Sequence, residues 1–243
     1  MIDLTASGWI RLRSVRSTWW CSAVYVVVAA GFGWLAAAGT PSSSRADVAV
    51  EVALTGFGFA QLALVVLGVL AVSAEFGTGS AVSALVAVPR RTAWLAATTA
   101  VVVAWAALVT ALVAVGCAVA ARALVAVPGG VSLTDPAVLQ DLGLQVAGAV
   151  LVTVLAVGLG VLLRSTAGGV GLGIALVFVL PPVLAVGGSR WTSLGSQALP
   201  ALRVGRESFL AVTTTWPVGL AVAGAWAVGA WVLGALLLER RDL

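Results

Sequence analysis

A chain of 243 residues in which 61% of the side chains are hydrophobic and 9% are charged has more apolar surface than a water-soluble domain can bury. With a mean hydropathy of +1.14, this composition identifies an integral membrane protein whose main solvent is lipid. The net charge of +4 comes from thirteen basic residues, all of them arginine, and nine acidic ones. The arginines lie scattered at the ends of apolar runs, which is typical of topology signals and not of a nucleic-acid-binding face.

Two absent residue types exclude several kinds of chemistry. Without histidine there is no imidazole base, no histidine metal ligand and no Ser-His-Asp triad. Without lysine there is no phosphate-binding loop of the G-x-x-x-x-G-K type. The sequence therefore predicts that the chain is not an enzyme and that any nucleotide hydrolysis takes place on another chain. Cys21 and Cys117 lie inside apolar runs and are expected to be small buried side chains near opposite leaflets, not a disulfide.

Residues 1–18 predict an amphipathic helix on the cytoplasmic membrane surface. This segment and the start of the next one carry Trp9, Arg11, Arg13, Arg16, Trp19 and Trp20. A basic leader before an apolar run also resembles a signal peptide. The run from Trp19 to Ala38 is long enough to span a bilayer, however, which favours an uncleaved first span.

The remaining apolar runs predict a single all-α membrane domain, residues 1–243, with six transmembrane helices. The predicted spans cover about residues 19–38, 54–74, 92–121, 144–163, 170–186 and 216–238. Turn-forming residues predict a loop over 123–141, and Pro181-Pro182 predicts a kink or break late in the fifth span. The polar stretch 187–214 is predicted to form an extracellular loop or re-entrant helices.

An even number of spans places both termini on one side of the membrane. Eight arginines fall on that side and five are spread over the longer loops of the other. The positive-inside rule therefore predicts cytoplasmic termini in a multi-pass protein of the cytoplasmic membrane. No acid or arginine falls inside a predicted span, which disfavours ion-coupled carriers and proton pumps.

The stretch from Glu75 to Arg91 lies between the second and third spans, on the predicted cytoplasmic side. Gly77 and Gly79 permit a sharp turn, Thr78 or Ser80 can cap a new helix, and Pro89 ends it before Arg90. A short helix with one apolar face between two spans is expected at the membrane interface. Because Glu75 is unfavourable at a helix C-terminus, we expect Arg90, Arg91 or a partner's cation nearby.

Two stretches resemble the permeases of the actinobacterial ABC type-2 exporter family. The first is Arg11-Leu-Arg-Ser-Val-Arg-Ser-Thr-Trp-Trp20, and the second is Glu75-Phe-Gly-Thr-Gly79 followed by Leu85-Val-Ala-Val-Pro-Arg-Arg91. The six-span layout also fits this family. The resemblance implies a permease subunit that works with a second permease, either a copy or a paralogue, and with two cytoplasmic ATPase subunits. ATP and magnesium would bind to those ATPases, and this chain would bind no cofactor or metal.

The resemblance also assigns roles to residues. The segment after the second span would be the coupling helix that docks on the ATPase, and the N-terminal helix would be the connecting helix. The coupling residues would be Glu75, Phe76, Gly77, Thr78, Gly79, Leu85, Pro89, Arg90 and Arg91. The connecting helix would carry Trp9, Arg11, Arg13, Arg16, Trp19 and Trp20.

Three functions remain as hypotheses. The first is an export permease, whose apolar spans suit amphipathic, lipid-like or drug-like cargo. The second is an intramembrane enzyme, which lacks the convergent acids, histidine base or metal cluster that it would need. The third is a non-catalytic membrane scaffold or immunity protein that binds a toxin or lipid, and nothing in the composition excludes it.

Overall fold

The computed structural model describes residues 2–39, 50, 52–77, 91–124, 134–186 and 216–240. Within these ranges the regular structure is entirely helical. Six helical segments are long and apolar enough to cross a membrane, which confirms the predicted all-α class and the number of spans. The predicted loop at 187–214 lies outside the described residues.

The helices follow one another along the chain as a short N-terminal helix and six spans. They are α1 (Ile2–Ser14), α2 (Arg16–Ala38), α3 (Phe57–Gly77), α4 (Arg91–Leu124), α5 (Pro136–Leu163), α6 (Thr166–Ile174), α7 (Leu180–Val186) and α8 (Trp216–Arg240). A π-helical turn, Ala175–Val179, joins α6 to α7, and these three pieces form the fifth span. The N-terminal helix and the first span are separate helices, with a break at Val15.

The fourth span, α5, is the central helix, since it packs against α3, α4, α6 and α8. In the most apolar windows of α3 and α5, 61% of residues are buried, against 17% for α2, so α2 lies at the periphery. Glycines permit the closest helix contacts. A Cβ on Gly158 of α5 would lie 2.7 Å from the backbone of Ala230 and Trp231 in α8. Small residues therefore let α5 and α8 pack backbone to backbone.

The start of α5 differs from the expectation that residues 123–141 form a loop. The helix begins at Pro136, and the Asp135 carboxylate accepts a hydrogen bond from the Ala137 amide at 3.0 Å. Asp before a helix and Pro at its first position are helix-start signals, because Asp caps a free amide and Pro needs none. The same two residues also favour turns, which is why the sequence predicted a loop here.

The fifth span continues through Pro181-Pro182 to Val186, so the predicted break does not occur. The chain instead widens into the π-helical turn just before the prolines. Proline has no amide hydrogen for the carbonyl one turn earlier, so the hydrogen-bond pattern must change there. Both cysteines are free; Cys117 is buried, as the sequence predicts, whereas Cys21 is only half-buried.

Candidate functional site

The predicted coupling segment begins inside α3 and ends at the start of α4. Glu75 and Phe76 lie in the last turn of α3, Gly77 is its final residue, and Arg91 is the first residue of α4. The other predicted coupling residues, Thr78, Gly79, Leu85, Pro89 and Arg90, lie outside the described residues. The structure therefore describes the two helix ends that hold this segment.

An ion pair joins the end of α3 to the N-terminal helix. The Arg11 guanidinium of α1 contacts the Glu75 carboxylate, and the Glu75 side chain is 9% exposed while that of Arg11 is 42% exposed. Arg11 thus supplies a cation at Glu75, a pairing that the sequence did not predict; the side chains of the expected cations, Arg90 and Arg91, lie outside the described part of the chain. This contact brings together one residue from each of the two stretches that carry the family resemblance.

A second contact joins the end of α3 to the turn between α5 and α6. The Arg164 guanidinium lies over the Phe76 ring, 5.3 Å from its centroid, a distance typical of a cation–π interaction. One helical turn earlier, the hydroxyls of Ser73 and Thr166 are 2.8 Å apart and hydrogen-bonded. The last turn of α3 is therefore attached to α1 on one side and to the α5–α6 turn on the other.

Three indoles anchor α1 and the start of α2 on α4. Trp9 and Trp19 each meet Trp105 edge to face, with ring centroids 5.7 and 5.4 Å apart. The Trp105 Nε1–H donates to the Ser22 hydroxyl at 2.9 Å. The Trp19 Nε1–H donates to the Arg13 carbonyl at 2.9 Å and so bridges the break between α1 and α2. Of the residues predicted for the connecting helix, Arg13, Arg16, Trp19 and Trp20 have exposed side chains.

Contacts between α2 and its neighbours show how far α3 and α4 extend. Helices α2 and α3 run in opposite directions, and Gly56, just before α3, approaches Ala29 of α2. Counting equal numbers of residues away from this contact along the two helices places Trp19 level with Val66. From that level α3 continues to Gly77, about 15 Å further at 1.5 Å per residue. Helices α2 and α4 run in the same direction, and Trp19 of α2 packs on Trp105 of α4. Since α4 starts at Arg91, its first residue lies about 20 Å beyond the level of Trp19.

The indoles of Trp19 and Trp20 are exposed, and they lie level with the middle of α3, whose apolar span continues past them to Phe76. Beyond their level, the ends of α3, α4, α5 and α8 form what we call the projecting bundle. Its apolar interior is a cluster distinct from the main core, formed by Val72, Trp94, Leu95, Val157, Val161, Ala235 and Leu238. The 34-residue α4 is about 50 Å long, well above the ~30 Å that a bilayer core requires, so this helix is longer than the spans it packs against.

An apolar groove and a smaller cavity open between the described helices. A groove of about 350 Å³ lies between α2 and α4 in the half of the molecule away from α1, and nearly all of its lining is apolar, including Val26, Trp34 and Leu112. A smaller cavity of about 100 Å³ lies beneath α1 and is lined in part by Arg11, Glu75 and Thr18. Among the described residues, no group of three or more cysteines or acids is placed to hold a metal ion.

Comparisons with known proteins supply no assignment, because no family model matches the chain and a search of curated proteins finds no significant match. Three contacts were not predicted from the sequence: the pairing of Arg11 with Glu75, the contact of Arg164 with Phe76, and the packing of α1 on Trp105. One signal pointed to the first of these. A lone carboxylate at the end of an apolar run requires a cation nearby.

Proposed function

We propose that the protein is the membrane-spanning permease subunit of an ATP-driven exporter. In this proposal both termini lie in the cytoplasm, and residues 75–91 form the docking element for a separate ATPase subunit. A second permease, either a copy or a paralogue, completes the path through the membrane. ATP and magnesium are bound and used by two ATPase subunits, and this chain contributes no catalytic residue.

The Arg11–Glu75 ion pair, which joins α1 to the end of α3 where segment 78–90 begins, is the observation that carries the proposal. Segment 78–90 is held between the ends of α3 and α4, which extend about 15 and 20 Å beyond the level of Trp19. The ion pair brings together, beside the start of this segment, the two stretches that resemble the exporter permeases, and we place the contact with the ATPase there. A chain without a nucleotide-binding loop needs such a contact if a partner's hydrolysis is to move it.

The contacts of the projecting bundle favour transmission of movement from this segment into the spans. A displacement of segment 78–90 acts first on the last turn of α3, where Glu75 is bound to α1 and Phe76 to the α5–α6 turn. Trp94, near the start of α4, packs in the same cluster as Leu238 of α8. Because packed interiors deform little, these contacts move helices together.

The groove between α2 and α4 supports the proposed class of cargo. Its volume, about 350 Å³, falls within the range of small-molecule sites, and its lining presents almost no polar surface. A site of this kind favours an amphipathic, lipid-like or drug-like molecule, because an ion would lose its hydration without gaining ligands.

A pull-down of the chain from its native membrane in mild detergent tests the proposal. Soluble proteins retained in a fixed ratio are identified and quantified for the wild type and for Arg90→Ala/Arg91→Ala. The matched control is Arg122→Ala, which removes an exposed arginine at the opposite end of α4. We expect the wild type and the control to retain a P-loop ATPase, and the double variant to retain at least ten-fold less.

Two outcomes contradict the proposal. If the correctly inserted wild type retains no P-loop ATPase, the permease assignment is wrong, and the scaffold or immunity hypothesis replaces it. If the ATPase is retained equally by the wild type and the double variant, the chain has an ATPase partner but docks it elsewhere.

A further inference from the structure

The fifth span contains a backbone carbonyl that its own helix does not satisfy. In an α-helix the Val177 carbonyl would accept a hydrogen bond from the amide of residue 181, and in a π-helix from that of residue 182. Both of these residues are proline, which has no amide hydrogen. The amide of Leu180, just before them, bonds to the Ala175 carbonyl. The π-helical turn therefore contains a carbonyl with no amide donor one turn ahead of it.

This carbonyl lies where an unsatisfied polar group is unfavourable. Val177 is 7% exposed and belongs to the main hydrophobic core. Within a membrane span, a carbonyl that has lost its donor to proline is usually bonded by a side chain of a neighbouring helix or by an ordered water. We therefore expect a hydrogen-bond donor on the helix that faces Val177.

Two glycines of α6 fix the register of this helix against α3. A Cβ added to Gly169 would lie 2.8 Å from a methyl group of Val69, and one added to Gly173 would lie 2.5 Å from a methyl group of Val65. The residue numbers rise along α6 and fall along α3, so the two helices run in opposite directions. The two contacts are one helical turn apart, which shows that the helices pack side by side over this length.

Continuing the register by one more turn places Gln61 of α3 opposite Val177. Gln61 is 5% exposed, and its amide makes no hydrogen bond within the described part of the chain. A glutamine amide has two N–H donors on a side chain long enough to reach the backbone of a neighbouring helix. A buried donor and a buried acceptor, both without a partner, therefore face each other across the two helices.

We propose that Gln61 and the Val177 carbonyl are the two halves of a latch between α3 and the fifth span. The latch closes when the π-helical turn bends and brings α7 toward α3, so that the Gln61 Nε2–H donates to the carbonyl. A π-helical turn inside a helix is a site where the helix can bend, because its hydrogen bonds can shift by one residue. The structure shows the open state, and the new hydrogen bond stabilises the closed one.

The distance between the start of α3 and α7 tests for the latch. Spin labels are attached through Gly58→Cys, where an added Cβ meets open space, and Val183→Cys, at an exposed position of α7. Cys21 and Cys117 are replaced by alanine, so that only the introduced thiols react. We expect pulsed electron paramagnetic resonance of the chain in lipid nanodiscs to show a shorter and a longer distance. Gln61→Met, which keeps the length of the side chain, should lose the shorter one.

Two further variants make the test specific. Pro181→Ala returns an amide donor to the Val177 carbonyl from its own helix. This variant should also lose the shorter distance, and adding Gln61→Met to it should change nothing further. The matched control is Gln145→Met, which removes a similarly buried glutamine amide from α5 and should keep both distances.

Three results would overturn the inference. They are the same distance distribution for the wild type and Gln61→Met, a further change when Gln61→Met is added to Pro181→Ala, and loss of the shorter distance in Gln145→Met. The measurement uses the purified chain without any partner. The latch can therefore fail while the permease assignment stands, and it can be confirmed even if no ATPase is retained in the pull-down.

Discussion

Removing either partner of the Arg11–Glu75 ion pair should have unequal effects, because the two side chains differ in exposure. Glu75 is 9% exposed and Arg11 is 42% exposed. Arg11→Met removes the Arg11 guanidinium from a carboxylate that is nearly buried. Glu75→Gln removes the anion, but the Arg11 guanidinium can turn toward water. We therefore expect the arginine substitution to be the more destabilising of the two.

The magnitudes follow from the degree of burial. Removing one partner of a fully buried pair costs about 3–5 kcal/mol. Because Arg11 is partly exposed, solvent screening reduces the expected cost of Arg11→Met to about 2 kcal/mol. For Glu75→Gln we expect about 1 kcal/mol or less. Combining both substitutions removes the buried charge, so the double variant should be more stable than Arg11→Met alone by about 1 kcal/mol.

The assay is reversible unfolding of the detergent-solubilised protein by increasing mole fractions of SDS, followed by tryptophan emission at neutral pH. Arg13→Met is the control, since Arg13 is an exposed arginine on the same helix, and we expect it to have little effect. Equal losses for Arg11→Met and Glu75→Gln, or a double variant less stable than Arg11→Met, would refute the asymmetry and the burial argument behind it.

Two further substitutions test the packing of the spans with the same assay. Gly158→Ala should destabilise the protein by about 1–3 kcal/mol, because the added Cβ would lie 2.7 Å from the α8 backbone. Gly143→Ala on the same helix meets open space and should be neutral or stabilising; equal effects would contradict the close-packing argument. Tyr25→Phe should cost about 1 kcal/mol, because its hydroxyl is hydrogen-bonded to buried Thr110 at 2.9 Å. No loss would show that this bond adds nothing to stability.

The six spans were predictable because the bilayer imposes a length and a composition on each of them. A run of about 20 apolar residues has few alternatives to a helix when its backbone must be satisfied in lipid. Where each helix begins depends on single residues and was less secure. The Asp135-Pro136 pair is compatible with both a turn and a helix start, and only the following apolar period distinguishes them.

The contacts of the candidate site were less predictable, since they depend on how separate helices approach one another. Hydropathy gives the position of a residue along a helix but not which neighbour it faces. The pairing of Arg11 with Glu75 requires the path of α1 across α3 and α4. The contact of Arg164 with Phe76 requires the parallel register of α3 and α5. How far α3 and α4 extend past Trp19 likewise follows from their register against α2, although the length of the apolar run after Thr92 was a partial signal.

The arrangement of Trp9, Trp19 and Trp105 has a spectroscopic consequence. Two indoles fixed edge to face on a third, with centroids 5.7 and 5.4 Å away, have strongly coupled electronic transitions. Such coupling gives near-ultraviolet circular dichroism that depends on the mutual orientation of the rings. Because Trp9 belongs to α1 and Trp105 to α4, part of that signal exists only while α1 is docked. The protein therefore contains its own optical reporter for the position of its N-terminal helix, readable in the intact chain without any label.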